Sequence, residues 1–171
     1  SSRRRHTRFR NVTGVQTCAL PIYYALISPG WRKNHKIIEE LRSQGCELIS
    51  ELDLAWRLKE EISPQQKWLA VTGTNGKTTT VQMLESILNK SSYRAVACGN
   101  VGLTVIDAVL SSEKYEVLAI ELSSFQIEWS KLPNYIAGAI LNISDDHIDW
   151  HESFDAYASS KIKLLNDSDI A

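Results

Sequence analysis

The chain has 171 residues, of which 43% are hydrophobic and 23% are charged, and its formal net charge at pH 7 is −1. No apolar run reaches the roughly 20 residues that a membrane-spanning helix needs, so we expect a globular protein without a membrane partner. Five arginines lie within the first ten positions; without them 14 basic and 20 acidic residues remain, a net charge of −6 that argues against nucleic-acid binding.

Residues 1–22 contain those five arginines but no acid, and they have no helical or strand period. A basic arm that binds nucleic acid or membrane is one interpretation, and the lack of a long apolar core argues against a secretory signal. A third interpretation is favoured, because Val12-Thr-Gly-Val-Gln-Thr-Cys-Ala-Leu-Pro-Ile22 looks like the translation of a DNA sequencing-library adapter. We therefore expect residues 1–22 to be foreign and disordered, with the native sequence beginning near Tyr23.

From Tyr23 onward, apolar strand-like runs alternate with helical patterns. The predicted strands cover residues 24–27, 46–49, 68–71, 94–98, 116–122 and 136–142. The predicted helices carry Ile37, Ile38 and Leu41, then Leu54, Trp56 and Leu58, then Val81, Leu84, Ile87 and Leu88, and two more cover residues 103–110 and 154–166. This alternation predicts an α/β fold with helices on both faces of a parallel sheet.

A linker at residues 62–67 divides this part of the chain into segments 23–63 and 64–171. The first segment has only two predicted strands, too few for a stable sheet by itself. The second stops just after a helix, where a parallel sheet would normally continue. We therefore expect a fragment from the middle of a longer enzyme, with one partial domain on each side of the linker.

The most informative stretch is Gly73-Thr-Asn-Gly-Lys-Thr-Thr79, which joins a buried strand to a helical pattern. Strand, tight loop and helix together present backbone N–H groups to an anion. Lys77 adds a positive charge, and the Thr78 hydroxyl suits a phosphate-bound Mg²⁺. The bland alternative is an ordinary turn with a helix cap. We favour an ATP-binding loop, with a shorter glycine spacing than common GTPases have, since Val71 stands where their first glycine would be. Its predicted ATP-binding residues are Gly73, Thr74, Asn75, Gly76, Lys77, Thr78 and Thr79.

Polar residues follow two further strands, where open α/β sheets bind their ligands. Glu121 ends the strand at 116–122, and its carboxylate would suit Mg²⁺; the alternative is a glutamate that points to solvent. Ser123 and Gln126 follow it and could hydrogen-bond a polar substrate. His147 stands among the acids Asp145, Asp146 and Asp149, so it is a candidate metal ligand or carboxyl-polarising group. A structural histidine beside turn-capping acids is the alternative.

Two weaker signals complete the set. Asn100, within Gly99-Asn-Val-Gly102, could bind a phosphate or sugar, although Gly-Asn is also plain turn chemistry. Lys161 and Lys163 lie in the last predicted helix, where a lysine is usually a solvated charge. Local sequence does not distinguish between these two lysines.

Taken together, these stretches resemble the Mur ligases, and the resemblance extends from Tyr23 to the end of the chain. The matching pieces are Ser28-Pro-Gly30, Gly73-Thr-Asn-Gly-Lys-Thr-Thr79, Gly99-Asn-Val-Gly102, Glu121-Leu-Ser-Ser-Phe-Gln126, Leu141-Asn-Ile with Asp146, His147 and Asp149, and the helix around Lys161. The Leu-Ser-Ser-Phe-Gln stretch is the most discriminating, and it is most similar to the family members that add D-glutamate.

The resemblance implies an ATP-dependent amide ligase that joins D-glutamate to UDP-N-acetylmuramoyl-L-alanine through an acyl phosphate, in peptidoglycan precursor synthesis. By the same resemblance, the catalytic residues are Lys77, Glu121, His147 and Lys161. Thr78 and Glu121 would hold one Mg²⁺, while His147 and a carbamylated Lys161 would hold a second. The positions lining the UDP-substrate site would be Ser28, Gly30, Asn100, Ser123 and Gln126.

The family also implies that residues 23–63 end a Rossmann-like UDP-substrate domain and that residues 64–171 begin a central ATP-binding domain. The fragment alone should be inactive, and the full-length enzyme is expected to be a cytoplasmic monomer. Cys46 and Cys98 lack metal-site spacing and fit reduced thiols in that compartment. The alternatives are a diaminopimelate- or lysine-adding ligase, a folylpolyglutamate synthase, or an ATP-binding module without ligase chemistry.

Overall fold

The computed structural model describes residues 23–146 and 148–171, so the expectations for residues 1–22 and for His147 lie outside the described residues. The strands are β1 Tyr24–Leu26, β2 Glu47–Ile49, β3 Lys67–Thr72, β4 Ala95–Gly99, β5 Val117–Glu121, β6 Tyr135–Ile140 and β7 Ser168–Ile170. The helices are α1 Lys36–Ser43, α2 Glu51–Ile62, α3 Lys77–Lys90, α4 Val105–Leu110, α5 Ser124–Trp129, α6 Ile148–His151 and α7 Phe154–Asn166.

Five strands form one parallel sheet in the order β4-β5-β3-β6-β7, which confirms the predicted α/β class. All five residues of β5 are buried, as expected of a strand covered by helices on both faces. β3 lies between β5 and β6, so the loop after β3 emerges at the middle of the carboxyl edge of the sheet. That edge is where open α/β sheets bind ligands.

Short polar side chains start most of the helices. Ser50 and Asp53 form a capping box at the start of α2, and Ser153 caps α7 by accepting a hydrogen bond from the Ala156 N–H. The predicted helix at 154–166 is confirmed. Each capped N–H would otherwise lack a partner, which costs about 1 kcal/mol per lost cap.

Three elements were not predicted from the sequence. α5 has only six residues, and its capping box, formed by Ser123 and Gln126, was interpreted as substrate-binding chemistry alone. α6 has four residues and β7 has three, too few to display a period. β7 pairs with β6 and extends the sheet just after α7.

The main core joins the sheet to α2, α4 and α5. It includes Leu52 and Ala55 of α2, Trp68 of β3, Val105 of α4 and Leu118 of β5. Each large side chain among them contributes about 1.5–3 kcal/mol by leaving water. A smaller cluster joins Ile27, Ile38 and Trp129 beside the parallel pair β1–β2.

Three contacts hold the β1–α2 part of the chain against α5, α6 and the residues that follow α5. The indole N–H groups of Trp129 and Trp150 donate to the carbonyl oxygens of Trp31 (2.9 Å) and Gly30 (3.0 Å). Asp53 accepts hydrogen bonds from the backbone after α5.

None of the described helices is both long enough and apolar enough to cross a bilayer.

Candidate active site

The turn after β3 and the first residues of α3 together form residues 73–79, called here the 73–79 loop, which opens at the carboxyl edge of the central strand. Gly76 has φ +84°, a left-handed conformation that suits glycine, and it turns the chain directly into α3 at Lys77. The first regular bond of α3 runs from the Thr80 N–H to the Gly76 carbonyl. The N–H groups of the preceding turn have no acceptor within the helix, so they form an anion-binding end.

Lys77 folds back over this loop. Its ammonium group donates to the carbonyl oxygens of Gly73 at 2.9 Å and Thr74 at 3.0 Å. The side chain is half-buried, so a full positive charge stands beside the N-terminal end of α3. The positive charge of Lys77 and the N-terminal end of α3 would attract the same anion.

Thr78 and Glu121 meet across the edge of the sheet. The Thr78 hydroxyl donates to Glu121 Oε2 at 2.7 Å, and the glutamate is only 3% exposed. Asn100 completes the group, because its backbone N–H donates to the Glu121 carbonyl at 2.9 Å and its carboxamide nitrogen lies 3.5 Å from Glu121 Oε1. The fold thus brings together Thr78, Glu121 and Asn100 from three separate elements.

The donor atoms of this group fit Mg²⁺. A buried carboxylate beside a hydroxyl offers hard oxygen ligands, and Mg²⁺ in phosphate sites typically takes one or two carboxylates plus phosphate and water oxygens. Within residues 23–146 and 148–171 no three His, Cys, Asp or Glu side chains gather into a metal-binding group. A cation held at Glu121 would therefore take most of its other ligands from phosphate and water.

Lys161, in α7, reaches the same loop. It is only 2% exposed, and its ammonium donates to the Gly73 carbonyl at 3.0 Å and lies 3.4 Å from the Thr72 hydroxyl. The pKa of Lys161 is lowered to about 8, chiefly by burial and also by the positive charge of Lys77, while Asp146 opposes both effects. Lys77 and Lys161 thus converge on one carbonyl oxygen.

Lys163, two residues further on, points elsewhere. Its ammonium donates to the carbonyl oxygens of Ile127, at 3.1 Å, and Ser130, at the end of α5. The structure therefore separates the two lysines that local sequence left equivalent. Lys161 faces the 73–79 loop, and Lys163 holds α5.

Apart from Asn100, the predicted substrate-binding residues lie in two separate places. Ser123 and Gln126 bind each other, since Gln126 Oε1 accepts hydrogen bonds at 3.0 Å from both the N–H and the hydroxyl of Ser123. Ser28 and Gly30 lie elsewhere and line a cavity of about 530 Å³, which Arg32 also lines. The Arg32 guanidinium donates to the carbonyl of Asp149, which ties this cavity to α6.

Residues 71–170 match the family described as the Mur ligase middle domain, which is more than half of the chain. The chain belongs to the Mur ligase family. Among its relatives, the UDP-N-acetylmuramoylalanine–D-glutamate ligase of Thermobifida fusca is 48% identical over 139 residues, 80% of this chain and 29% of that protein. The enzyme of the same name from Corynebacterium diphtheriae is 47% identical over 140 residues, 81% of this chain and 30% of that protein. The chain thus spans less than a third of the length of these relatives.

Solved structures of Mur ligases share the fold of this chain. A MurF ligase from Thermotoga maritima in complex with ADP gives a TM-score of 0.55 at 16% identity, covering 87% of this chain and 44% of that one. The MurC ligase of Thermotoga maritima gives a TM-score of 0.51 at 24% identity, covering 86% of this chain and 34% of that one. At these identities the likeness establishes the fold alone.

Sequence reasoning missed two polar residues at the site of this Mur ligase chain. The Asn142 carboxamide contacts the 73–79 loop, and the Tyr157 hydroxyl lies 2.9 Å from the Thr74 hydroxyl. The tyrosine ring also lies 4.7 Å from the Lys161 ammonium. Leu141-Asn-Ile was noted as a matching stretch, but the partners of Asn142 lie 67 and 68 residues away in the chain and leave no local signal.

Proposed function

We propose that residues 23–171 are part of an ATP-dependent ligase that joins D-glutamate to UDP-N-acetylmuramoyl-L-alanine. The observation that carries the proposal is the convergence of Lys77, Thr78, Glu121 and Lys161 on one loop at the carboxyl edge of the sheet. The choice of substrates is supported by the names of the relatives at 48% and 47% identity. The use of ATP is supported by the loop itself and by the ADP bound to a MurF neighbour.

The reaction has two steps in this proposal. The alanine carboxylate attacks the γ-phosphorus of ATP, the bond to ADP breaks, and an acyl phosphate forms. The amine of D-glutamate then attacks the acyl carbon, loses a proton, and phosphate leaves. Lys77 and the N–H groups at the start of α3 would stabilise the charge that spreads over the transferred phosphoryl group.

Glu121 and Thr78 would hold Mg²⁺, which offsets phosphate charge when it is bound. We propose that His147 and a carbamylated Lys161 hold a second ion near the substrate carboxylate. Carbamylation turns the buried cation of Lys161 into an anionic oxygen ligand, which a hard cation prefers. Residues 73–79 would bind the nucleotide, with the N–H groups of residues 76–79 facing its phosphates. Ser28, Gly30, Asn100, Ser123 and Gln126 would face the UDP-linked substrate.

This assignment divides the chain into three segments. We propose that residues 1–22 are foreign, that residues 23–63 belong to the UDP-substrate domain, and that residues 64–171 belong to the ATP-binding domain. The other domains of such a ligase would supply the remaining contacts.

The test is phosphate release from ATP by a complete ligase that contains residues 23–171. Release should require both UDP-N-acetylmuramoyl-L-alanine and D-glutamate, and omission of either should abolish it. Release that depends on a diamino acid or a folate instead would assign the chain to another ligase of this superfamily. ATP binding with no release under any of these substrates would favour a non-catalytic module.

A further inference from the structure

Asn142 lies two residues beyond β6 and holds the 73–79 loop with its carboxamide. Asn142 Oδ1 accepts hydrogen bonds from the N–H groups of Thr74 at 3.1 Å and Asn75 at 3.0 Å. Its Nδ2 group donates to the Asn75 carbonyl at 3.0 Å. Because a backbone N–H only donates and a carbonyl only accepts, these partners fix which carboxamide atom is the oxygen. One side chain therefore binds both the N–H and the carbonyl of Asn75.

This contact divides the loop into two halves. The N–H groups of Thr74 and Asn75 face β6 and are engaged by Asn142. Those of residues 76–79 belong to the first turn of α3 and have no acceptor inside the helix. The anion-binding half of the loop is thus residues 76–79, and Asn142 fixes the half that precedes it.

The same half of the loop is tied to the chain that follows Asn142. The Thr74 hydroxyl lies 3.2 Å from the Ser144 carbonyl, which it can donate to, and accepts from the Ser144 N–H at 3.0 Å. It also lies 2.9 Å from the Tyr157 hydroxyl. A threonine hydroxyl has one donor and two acceptor positions, so all three contacts are satisfied when the tyrosine donates. Residues 142–144 and the 73–79 loop therefore form one hydrogen-bonded unit.

We infer that Asn142 is a positioning residue, which holds the 73–79 loop in the shape that presents the N–H groups of residues 76–79 to a nucleotide phosphate. This inference rests on the proposed function, because it takes a nucleoside triphosphate as the ligand of the loop. Asn142 acts through the backbone of Thr74 and Asn75 and needs no contact with the nucleotide.

The test combines amide hydrogen exchange with nucleotide binding, in a complete ligase that contains residues 23–171. In the wild-type protein without nucleotide, the Thr74 and Asn75 amides should already be protected from exchange, and the amides of residues 76–79 should gain protection only when ADP is added. Asn142→Ala should remove the protection at Asn75 and raise the Kd for ADP by about tenfold or more, since three side-chain hydrogen bonds are lost. The Thr74 amide should keep partial protection in this variant, because its N–H also donates to the backbone carbonyl of Asn142 at 3.1 Å.

Asn134→Ala is the matched control, because Asn134 lies just before the other end of β6 and, among the described residues, its side chain hydrogen-bonds only to exposed Asp169. It should change neither the exchange pattern nor the Kd. If wild-type and Asn134→Ala bind ADP and Asn142→Ala binds it equally well, the inference is wrong while the proposed function stands. If none of the three binds ADP, the proposed function itself fails. Should Asn142→Ala not fold, fast exchange of the Thr74 and Asn75 amides in the wild type would still overturn the inference.

Discussion

Gly99 and Glu121 pair at the carboxyl ends of β4 and β5, so closely that a Cβ atom on Gly99 would lie 2.2 Å from the Glu121 carbonyl oxygen. The φ of Gly99 is +120°, which a residue with a side chain rarely adopts. This close approach lets the Asn100 N–H bind the same carbonyl oxygen. A glycine at this position thus brings Asn100, which is proposed to bind the UDP-linked substrate, beside the proposed Mg²⁺ ligand.

Gly99→Ala should therefore destabilise the protein and disturb the site. Backbone strain and the overlap with β5 together should lower the free energy of unfolding by about 3 kcal/mol. Gly102→Ala is the control, because Gly102 has φ +78° but, apart from its chain neighbours, no atom of the described residues lies within 4 Å of its Cβ position. That change should cost only the strain of about 1 kcal/mol. Equal losses for the two variants in urea unfolding would mean that the contact with Glu121 is not the cause.

Lys77→Ala should lower ATP-dependent phosphate release by about 100-fold or more in a complete ligase, because charge on the transferred phosphoryl group loses a partner. Lys90→Ala removes a lysine from the last turn of the same helix, far from the loop, and should leave the rate unchanged. Phosphate release measured under saturating substrates checks both variants. Near-normal turnover by Lys77→Ala would refute the phosphate-binding assignment.

Much of the site could be predicted because it follows strands that stand out in the sequence as apolar runs. β5 is an unbroken apolar run that ends in Glu121, and the loop after β3 carries glycine, lysine and threonine at the positions that phosphate binding requires. α7 was predicted with its observed bounds, because its apolar residues recur at helical spacing. The local sequence pattern is sufficient to predict a feature that depends on a single strand, helix or loop.

The remaining features depend on partners far apart in the chain. Asn142 and Thr74 are 68 residues apart, and Asp53 bonds to residues 78 and 79 positions later. Lys161 and Lys163 differ only in the distant residues that each side chain contacts in the folded protein. No local period reports such pairings, so the local sequence pattern could not single out these residues.

Asp53 should be a strong determinant of stability. One carboxylate oxygen accepts hydrogen bonds from the N–H groups of Lys131 at 2.8 Å and Leu132 at 2.9 Å, and the other accepts from the Ser50 N–H at 3.3 Å. The side chain is 2% exposed, so Asp53→Ala removes a buried carboxylate that accepts three backbone hydrogen bonds and should cost about 3 kcal/mol.

The control for this change is Asp107→Ala. Asp107 occupies the equivalent N-terminal position of α4, but its carboxylate bonds only to the neighbouring Thr104 hydroxyl among the contacts that the structure gives it, and it is exposed. Loss of this cap should cost about 1 kcal/mol or less. Chemical unfolding of both variants checks the difference, and equal costs would show that the contact of Asp53 with residues 131–132 contributes nothing.

The pH dependence of stability should report the burial of Lys161. Its pKa is lowered to about 8 in the folded protein, chiefly by burial, from an ordinary value of 10.5. The unfolded state therefore binds more protons between these values, and stability should rise as pH increases from about 8 to 10.5. Lys161→Met should remove that rise and stabilise the protein by up to about 3 kcal/mol at pH 7. The comparison uses CO₂-free buffer, and a variant with the wild-type pH profile would contradict the lowered pKa.

The last prediction concerns the chemistry of Lys161. With a pKa near 8, about half of the amine is neutral at pH 8, and the neutral nitrogen can attack CO₂, form a carbamate and release a proton. Lys161→Ala in a complete ligase should be nearly inactive, and added short carboxylic acids should partly restore phosphate release by supplying the missing oxygens. Lys163→Ala removes the bonds to the end of α5, so it should lower stability. Because Lys163 does not face the loop, the folded variant should keep its activity and should not respond to carboxylic acids. Rescue of Lys163→Ala, or full activity of Lys161→Ala, would refute the assignment of Lys161 as the modified residue.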